Sequence, residues 1–371
     1  MKILLVAPMP PPHGGMAVSS VAIVNGMARR PEHLLEVVDI SVRWRDPMDM
    51  RPLRRLAGGT RHAFSILRGV LSRARMFQPD VVEVANCGGI GPTLRDYFLL
   101  TLLRWRGVPT ILTFHFGRIP AILARRDIES RLVRAASAAA TCTVVLDRST
   151  ERALQALLGN RWIERRANFI DLERLERLAR QGAARESECD VVFVGWMARE
   201  KGVFELMQAV KDMPGVRLKF VGPLAPATAE ELWALAGDAR GRVEHVGPVE
   251  TDRVYGIIAR ARVLALPSHA EAFPYVVLEA MALQKPVVAT TVAAIPDILD
   301  LHGAPCGIGA AVRDVAGLRA ALERLLQDQT LCRVMGERGR ERVRTLYTEA
   351  TVMGEVVRQW HAVAKKGRAR R

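Results

Sequence analysis

Short apolar runs alternate with helix-period stretches along most of the chain. KILLV (2–6), LLEVVDI (34–40), DVVEVA (80–85), PTILTFH (109–115) and TCTVVL (141–146) read as strands, with helical patterns near 16–29, 60–77 and 93–106 between them. Runs this short, bounded by turn and polar residues, suit buried strands. Their alternation with helices predicts an α/β fold with a parallel sheet. A polar stretch rich in Arg and Glu, 171–189, interrupts the pattern, which begins afresh with DVVFVG (190–195), VRLKFVG (216–222), RVEHVG (242–247), RVLALPS (262–268) and PVVATT (286–291). The expectation is two tandem doubly wound, Rossmann-like parallel sheets: one domain over 1–170, a second over 171–350, and a helical, basic C-terminal segment over 351–371. Ligands bind such sheets beyond the carboxyl ends of the strands, so the cleft between the domains is the expected site.

A chain of 371 residues with 49% hydrophobic and 25% charged residues has the composition of a soluble globular protein. Its net charge is +15, unevenly spread. Residues 1–170 hold 25 Lys/Arg against 13 Asp/Glu, whereas 171–350 hold 23 against 25. No acid occurs in 51–79, where Arg51, Arg54, Arg55, Arg61, Arg68, Arg73 and Arg75 lie. On a helix from about Thr60 to Phe77, Arg61, Arg68 and Arg75 share one face, while Ala63, Ile66, Leu67, Val70 and Leu71 share another. That arginine face is either a solvated outer surface or a contact for an anionic membrane. Nucleic acid is not expected, because aromatics are 5% and none interleaves with the basic residues. The five cysteines are far apart without CxxC spacing, which indicates neither a disulfide framework nor a zinc site and suits a reducing cytosol. MKILLVAP reads as a first strand rather than a signal peptide, and no apolar stretch has the length to span a bilayer.

Candidate chemistry clusters at strand ends. Gly14 and Gly15 follow the first strand and precede a helix, an arrangement that lets backbone N–H groups approach a phosphate or sugar, or that simply makes a tight turn. The loop NCGGIGPT (86–93) reads as a structural turn. In FVGWMAREKG (193–202), Gly195 ends a strand and Lys201 sits at a helix start, placed to meet an anion or solvent. In RVLALPSHAEAFP, Glu271 lies in the loop at a strand's carboxyl end, and Glu279, eight positions on, falls inside the next helix. A carboxylate buried there needs hydrogen-bond donors, which sugar hydroxyls supply.

Together these motifs resemble the retaining nucleotide-sugar glycosyltransferases of the GT-B fold, family 4. Residues 268–297 are similar to the family's E-x7-E signature through Glu271 and Glu279, Gly14-Gly15 to its glycine loop, and TFHFG (113–117) to its histidine motif through His115. NFID (168–171) resembles NGVD, VGWMAREKG resembles VGRLxxEKG, and AAIPD (293–297) resembles GGIPE. The resemblance implies an inter-domain cleft and a C-terminal helix crossing back to the first domain. It implies donor binding by Gly14, Gly15, Gly195, Arg199, Lys201, Phe273, Glu279 and Ile295: Lys201 and the backbone after Ile295 on the diphosphate, Glu279 on the ribose. Glu271 and His115 would then be catalytic, both at the transferred sugar. No Asp-x-Asp occurs, so no metal or other cofactor is expected. The chain departs from the pattern at Trp196, in place of arginine, at Ala293-Ala294, in place of glycines, and at Phe169. The implied activity is transfer from a nucleotide-diphosphate sugar to a glycan acceptor, lipid-linked, in surface polysaccharide assembly, by a cytoplasmic protein peripheral on the inner face of the plasma membrane. The competing readings are a sugar-nucleotide epimerase or hydrolase of the same fold and a catalytically silent basic membrane- or nucleic-acid-binding homologue.

Overall fold

A computed structural model describes residues 1–11, 14–42, 52–182 and 188–368, with the backbone alone for 52–57, 180–182 and 368. Arg51, part of the polar stretch at 183–187 and the terminal Arg370 and Arg371 lie outside the described residues, as do the side chains of Arg54 and Arg55. The chain forms two compact units, Met1–Asn168 with Glu349–Arg371, and Phe169–Thr348.

The first unit runs β1 (Lys2–Ala7), α1 (Gly15–Ala28), β2 (Leu34–Asp39), α2 (Pro52–Phe77), β3 (Val81–Asn86), α3 (Ile90–Trp105), β4 (Thr110–Phe114), α4 (Ile119–Arg125), α5 (Ile128–Ala139), β5 (Cys142–Val145), α6 (Arg148–Leu158) and β6 (Ile163–Arg165). Its sheet is parallel, in the order β2-β1-β3-β4-β5-β6. The runs that form β1, β3, β4 and β5 are buried on both faces, with every residue of β3 and β4 buried, whereas the edge strand β2 is only partly buried. One face packs on α2, α3 and α5, where Leu4, Val84, Leu112 and Phe114 meet Ile66, Leu99, Leu103 and Val133. Asp127 and Asp147 cap α5 and α6 by accepting from the N–H of Ser130 and Thr150, which fixes those helix starts.

The second unit runs α7 (Leu172–Gly182), β7 (Cys189–Val194), α8 (Val203–Lys211), β8 (Leu218–Val221), α9 (Pro226–Ala236), β9 (Val243–His245), α10 (Thr251–Ala259), β10 (Ala261–Leu266), α11 (Tyr275–Ala282), β11 (Val287–Thr290), α12 (Ile295–Ile298), β12 (Gly307–Ala310), α13 (Val315–Gln327) and α14 (Gln329–Leu346). Its sheet is also parallel, ordered β12-β11-β10-β7-β8-β9. Two doubly wound sheets are thus present. The strands β6 and β12 carry no apolar run and escaped the sequence pattern, because each is a short edge strand with one open side. The helical segment expected over 351–371 is α15 (Glu349–Arg368), and it is separate from α14, which ends at Leu346: Tyr347 and Thr348 part the two, and Thr348 bridges to Ile170.

That last helix belongs to the first unit, and a buried polar cluster holds it there. Glu83 of β3 accepts from Arg166 at 2.7 Å, from Thr113 Oγ1 at 2.7 Å and from Trp360 Nε1 of α15 at 2.5 Å. Arg166 also donates to Gln359 Oε1 at 2.8 Å. Burial alone would raise the Glu83 pKa, but the Arg166 charge and these donors outweigh it and hold the carboxyl below its ordinary value. Removing the cation would leave a carboxylate buried without its counter-charge. Arg166→Leu is therefore expected to destabilise the first unit by about 3–5 kcal/mol, read by denaturant unfolding at neutral pH, with Arg166→Lys losing less. A loss below about 1 kcal/mol would show that the cluster is not what holds α15.

Candidate functional site

In the second unit the expected residues gather at the carboxyl ends of β7, β10 and β11. Gly202 sits left-handed at φ 71° between a single turn, Arg199–Lys201, and α8. A Cβ at Gly202 would lie 2.0 Å from the carbonyl oxygen of Pro267, so glycine lets the loop after β10 cross directly over this turn. Three contacts then fasten that loop. The His269 N–H donates to the Glu200 carbonyl at 2.8 Å, His269 Nε2 donates to Glu205 Oε1 at 2.8 Å, and Lys201 Nζ donates to Glu271 Oε1 at 2.6 Å. Sequence reasoning named Lys201 and Glu271 separately. It missed their pairing, and it missed His269 and Glu205, whose only signal was a histidine two positions before Glu271.

Glu279 lies in α11, where Tyr275 and residues 277–282 are buried, and it is itself 8% exposed. No donor meets this carboxylate among the described residues, and burial pushes its pKa up to about 7. Burial likewise raises the Tyr255 hydroxyl, and the charge of Glu279 adds to the effect, which sets the two side chains near one another. The loop after β11 joins the group through the Ala294 N–H, which donates to the Ala272 carbonyl at 3.2 Å.

Other expected residues are already engaged. Arg199 forms an ion pair with Glu231 and stacks over Phe204, 4.3 Å from the ring centroid. Phe273 is buried edge-on against Tyr347, with centroids 5.6 Å apart, a packing role. Ile295 is fully buried, its N–H bonded to the Val292 carbonyl, and Pro296 has no N–H to offer a phosphate. Gly195 closes β7 with its N–H on the Val221 carbonyl at 2.9 Å, and the side chain of Trp196, beside it, is 44% exposed. Ala293 has φ 47°, a left-handed conformation that glycine adopts freely and alanine does not.

In the first unit His115 follows β4, its backbone N–H bonded to the Asn86 carbonyl at 3.0 Å. The imidazole has no hydrogen-bond partner among the described residues. Burial lowers its pKa to about 4, with Arg166 lowering it further and Glu83 opposing, so the ring is neutral at pH 7. Gly14 and Gly15 lie at the same carboxyl edge, at the end of the loop from β1 into α1. A Cβ at either would meet nothing within 4 Å, and Gly14 has an extended φ of −177°, so nothing in the described fold demands glycine here. Space beside the helix start is what the two glycines provide. The end of β3 and the first half of α3 share a buried set in which Asp96 accepts from Asn86 at 2.6 Å and from Arg95 at 2.7 Å.

Two stability effects follow. The Glu279 pKa is raised in the fold, so the side chain is best accommodated below about pH 4.5 and opposes folding increasingly as pH rises through about 7. Glu279→Gln is expected to stabilise the ligand-free second unit by on the order of 3 kcal/mol at pH 8, with the gain vanishing near pH 4, in unfolding curves at the two pH values. Ala293→Gly is expected to add about 1 kcal/mol by relieving its left-handed backbone; an unchanged or lower midpoint would refute that strain.

Residues 176–342 match the family described as Glycosyl transferases group 1. The chain is 26% identical over 314 residues to glycogen synthase of Mycobacterium tuberculosis, covering 80% of this chain and 72% of that one. It is 31% identical over 174 residues to the MMP alpha-(1->4)-mannosyltransferase of Mycolicibacterium hassiacum, covering 46% of this chain and 41% of that one. Among solved structures, sucrose-phosphate synthase from Thermosynechococcus elongatus superposes with a TM-score of 0.78 at 19% identity, covering 97% of this chain and 99% of that one. HepE of Anabaena in complex with UDP superposes with a TM-score of 0.71 at 16% identity, over 98% of this chain and all of that one. The fold is that of the GT-B glycosyltransferases, the second unit carries a Glycosyl transferases group 1 domain, and the chain is a glycosyltransferase.

Proposed function

We propose that the chain transfers a sugar, with retention of anomeric configuration in the manner of family 4, from a nucleotide-diphosphate sugar to a lipid-linked glycan acceptor, in surface polysaccharide assembly on the cytoplasmic face of a membrane. The observation that carries the donor half is Glu279, a carboxylate buried in the fold without a donor of its own. A ribose diol supplies two O–H donors and offsets the desolvation. Solved relatives support a nucleotide donor, since HepE of Anabaena was determined with UDP and with UDP-glucose.

In this scheme the second unit exchanges one ion pair for two substrate contacts. Lys201 leaves Glu271 for the diphosphate, and Glu271 accepts from hydroxyls of the transferred sugar. The bond between the anomeric carbon and the diphosphate oxygen breaks, the sugar passes through an oxocarbenium-like state, and an acceptor hydroxyl adds on the face the diphosphate leaves, its proton passing to the departing diphosphate oxygen. Lys201 faces the charge that develops on the diphosphate, and a preorganised cation beside a leaving group is an effective catalyst. The scheme needs no metal for that charge. His115 remains neutral at working pH and serves as a hydrogen-bonding imidazole toward a sugar hydroxyl rather than as a cation.

A thermal-shift panel of UDP-, GDP- and ADP-sugars tests this reading. A ligand at a hundred times its Kd should stabilise the folded state by about 2.7 kcal/mol. One nucleotide class should shift the second unit, and Glu279→Ala should abolish the shift. Because the diol binds the ionised carboxylate, Kd should rise toward tenfold per pH unit below about pH 7 in the wild type and stay flat in Glu279→Gln. No shift with any donor would overturn the reading, and donor consumption at full rate without acceptor would point to a hydrolase or epimerase instead.

A further inference from the structure

The outer surface of the first unit carries an apolar stripe that its core does not use. On α3, Leu99, Leu100 and Leu103 are buried against the sheet, whereas Ile90, Leu94, Phe98 and Trp105 are 51%, 39%, 49% and 80% exposed. Their spacing of four, four and seven places all of them on one face, opposite the core. A two-faced apolar helix is not explained by the unit's own packing. Phe64, on the neighbouring α2, is a further exposed aromatic residue, at 68%.

Charge frames the stripe on both sides. The helix α3 packs between α2 and α5. From α2 the exposed residues Arg61, Arg68 and Arg75 flank it, and from α5 the exposed Arg131 and Arg134. None of these arginines has a carboxylate partner among the described residues. The one acid of α3, Asp96, is fully buried, and α2 has none in its sequence. No helix among the described residues is long and apolar enough to cross a membrane.

We infer that this face, with α3 at its centre, docks on an anionic lipid bilayer, the apolar stripe entering the boundary between headgroups and acyl chains and the arginines meeting lipid phosphates. The inference deepens the proposal of a lipid-linked acceptor and rests on it. Aromatic and aliphatic side chains rimmed by unpaired arginines complement an anionic interface in both respects. A protein partner would not require arginines on both flanks with no acid between them. The stripe also begins where such an acceptor is needed. Ile90 follows the loop after β3, and the last residue of that strand, Asn86, accepts the His115 N–H. A glycan carried on a lipid would thus emerge from the bilayer at the carboxyl edge of the sheet.

Co-sedimentation of the full chain with vesicles of phosphatidylcholine, or of phosphatidylcholine mixed with phosphatidylglycerol, tests the face. The wild type should bind the mixed vesicles and not the neutral ones. Phe98→Glu with Trp105→Glu should lower partitioning roughly tenfold or more at every salt concentration, because the apolar insertion is lost. Arg68→Glu with Arg131→Glu should lower it roughly tenfold at low salt and less at high salt. All four positions are exposed, and unchanged circular dichroism together with unchanged donor-induced thermal shifts would show that the variants fold. Binding indifferent to phosphatidylglycerol, or retained in the Phe98 and Trp105 variant, would overturn the inference. So would a dimer in light scattering that the same variant dissolves, which would assign the face to a second copy of the chain. Loss of lipid binding with intact donor shifts would leave the nucleotide-sugar reading standing, whereas absent donor shifts with intact lipid binding would remove that reading and keep the surface.

Discussion

One buried carboxylate decides where the end of the chain goes. Glu83 lies in the third strand of the first sheet, fully enclosed, and could not remain ionised there without donors. It finds them in a threonine on the next strand, in an arginine beyond the sixth and in a tryptophan that arrives only after the whole second unit has been traversed. The helix α15 is fixed in the first unit by that convergence, and Trp360 is the largest of the fully buried side chains. The same ion pair reaches toward function. Glu83 and Arg166 act on His115 with opposite signs, so their effects oppose one another and burial is left as the main influence on the ring. Burial therefore keeps the imidazole at the sheet edge neutral, and the ion pair that anchors the last helix leaves that state standing.

The two most buried glutamates among the described residues are in opposite states, and the contrast separates architecture from chemistry. Glu83 meets a cation, a hydroxyl and an indole N–H, and its pKa falls below the ordinary value. Glu279 meets no donor among the described residues, and its pKa rises to about 7. A fold selected for stability alone would place an apolar residue or a glutamine in α11. On the proposed reading, the destabilising carboxylate stands there, eight positions after a second acid in a strand-end loop, because its partner is a ligand that arrives from outside.

The sheets, most strand positions and the placement of Glu271 and Glu279 were legible in the sequence because each depends on local pattern. A run of β-branched residues announces a buried strand, and a strand running into a loop and then a helix puts an acid at the carboxyl edge wherever that acid falls within the loop. The Glu83 cluster was illegible for the opposite reason. Its members stand 83 and 277 positions apart, and no periodicity links them. The stripe on α3 was partly legible. The apolar residues at 90, 94, 98 and 105 are evident in the sequence, but so are those at 99, 100 and 103, and only packing shows which set faces the core. The break at Tyr347 and Thr348 was hidden because both flanks are helical and the interruption is set by the bridge to Ile170.

The pairing of Lys201 with Glu271 bears on how a donor would be chosen. Both side chains are only partly exposed, so either one left alone would be poorly solvated. A ligand that supplies hydroxyls to Glu271 but no anion to Lys201 must strand the ammonium, and a ligand with phosphates but no sugar strands the carboxylate. Only a molecule carrying both groups at the right separation replaces the pair without leaving a charge unmatched. On the proposed reading, selectivity for an intact sugar diphosphate thus arises from the cost of breaking one ion pair, before any contact specific to the base or to the sugar is made. Arg199, held by Glu231 and Phe204, stays outside that exchange, which leaves Lys201 as the cation on which it turns.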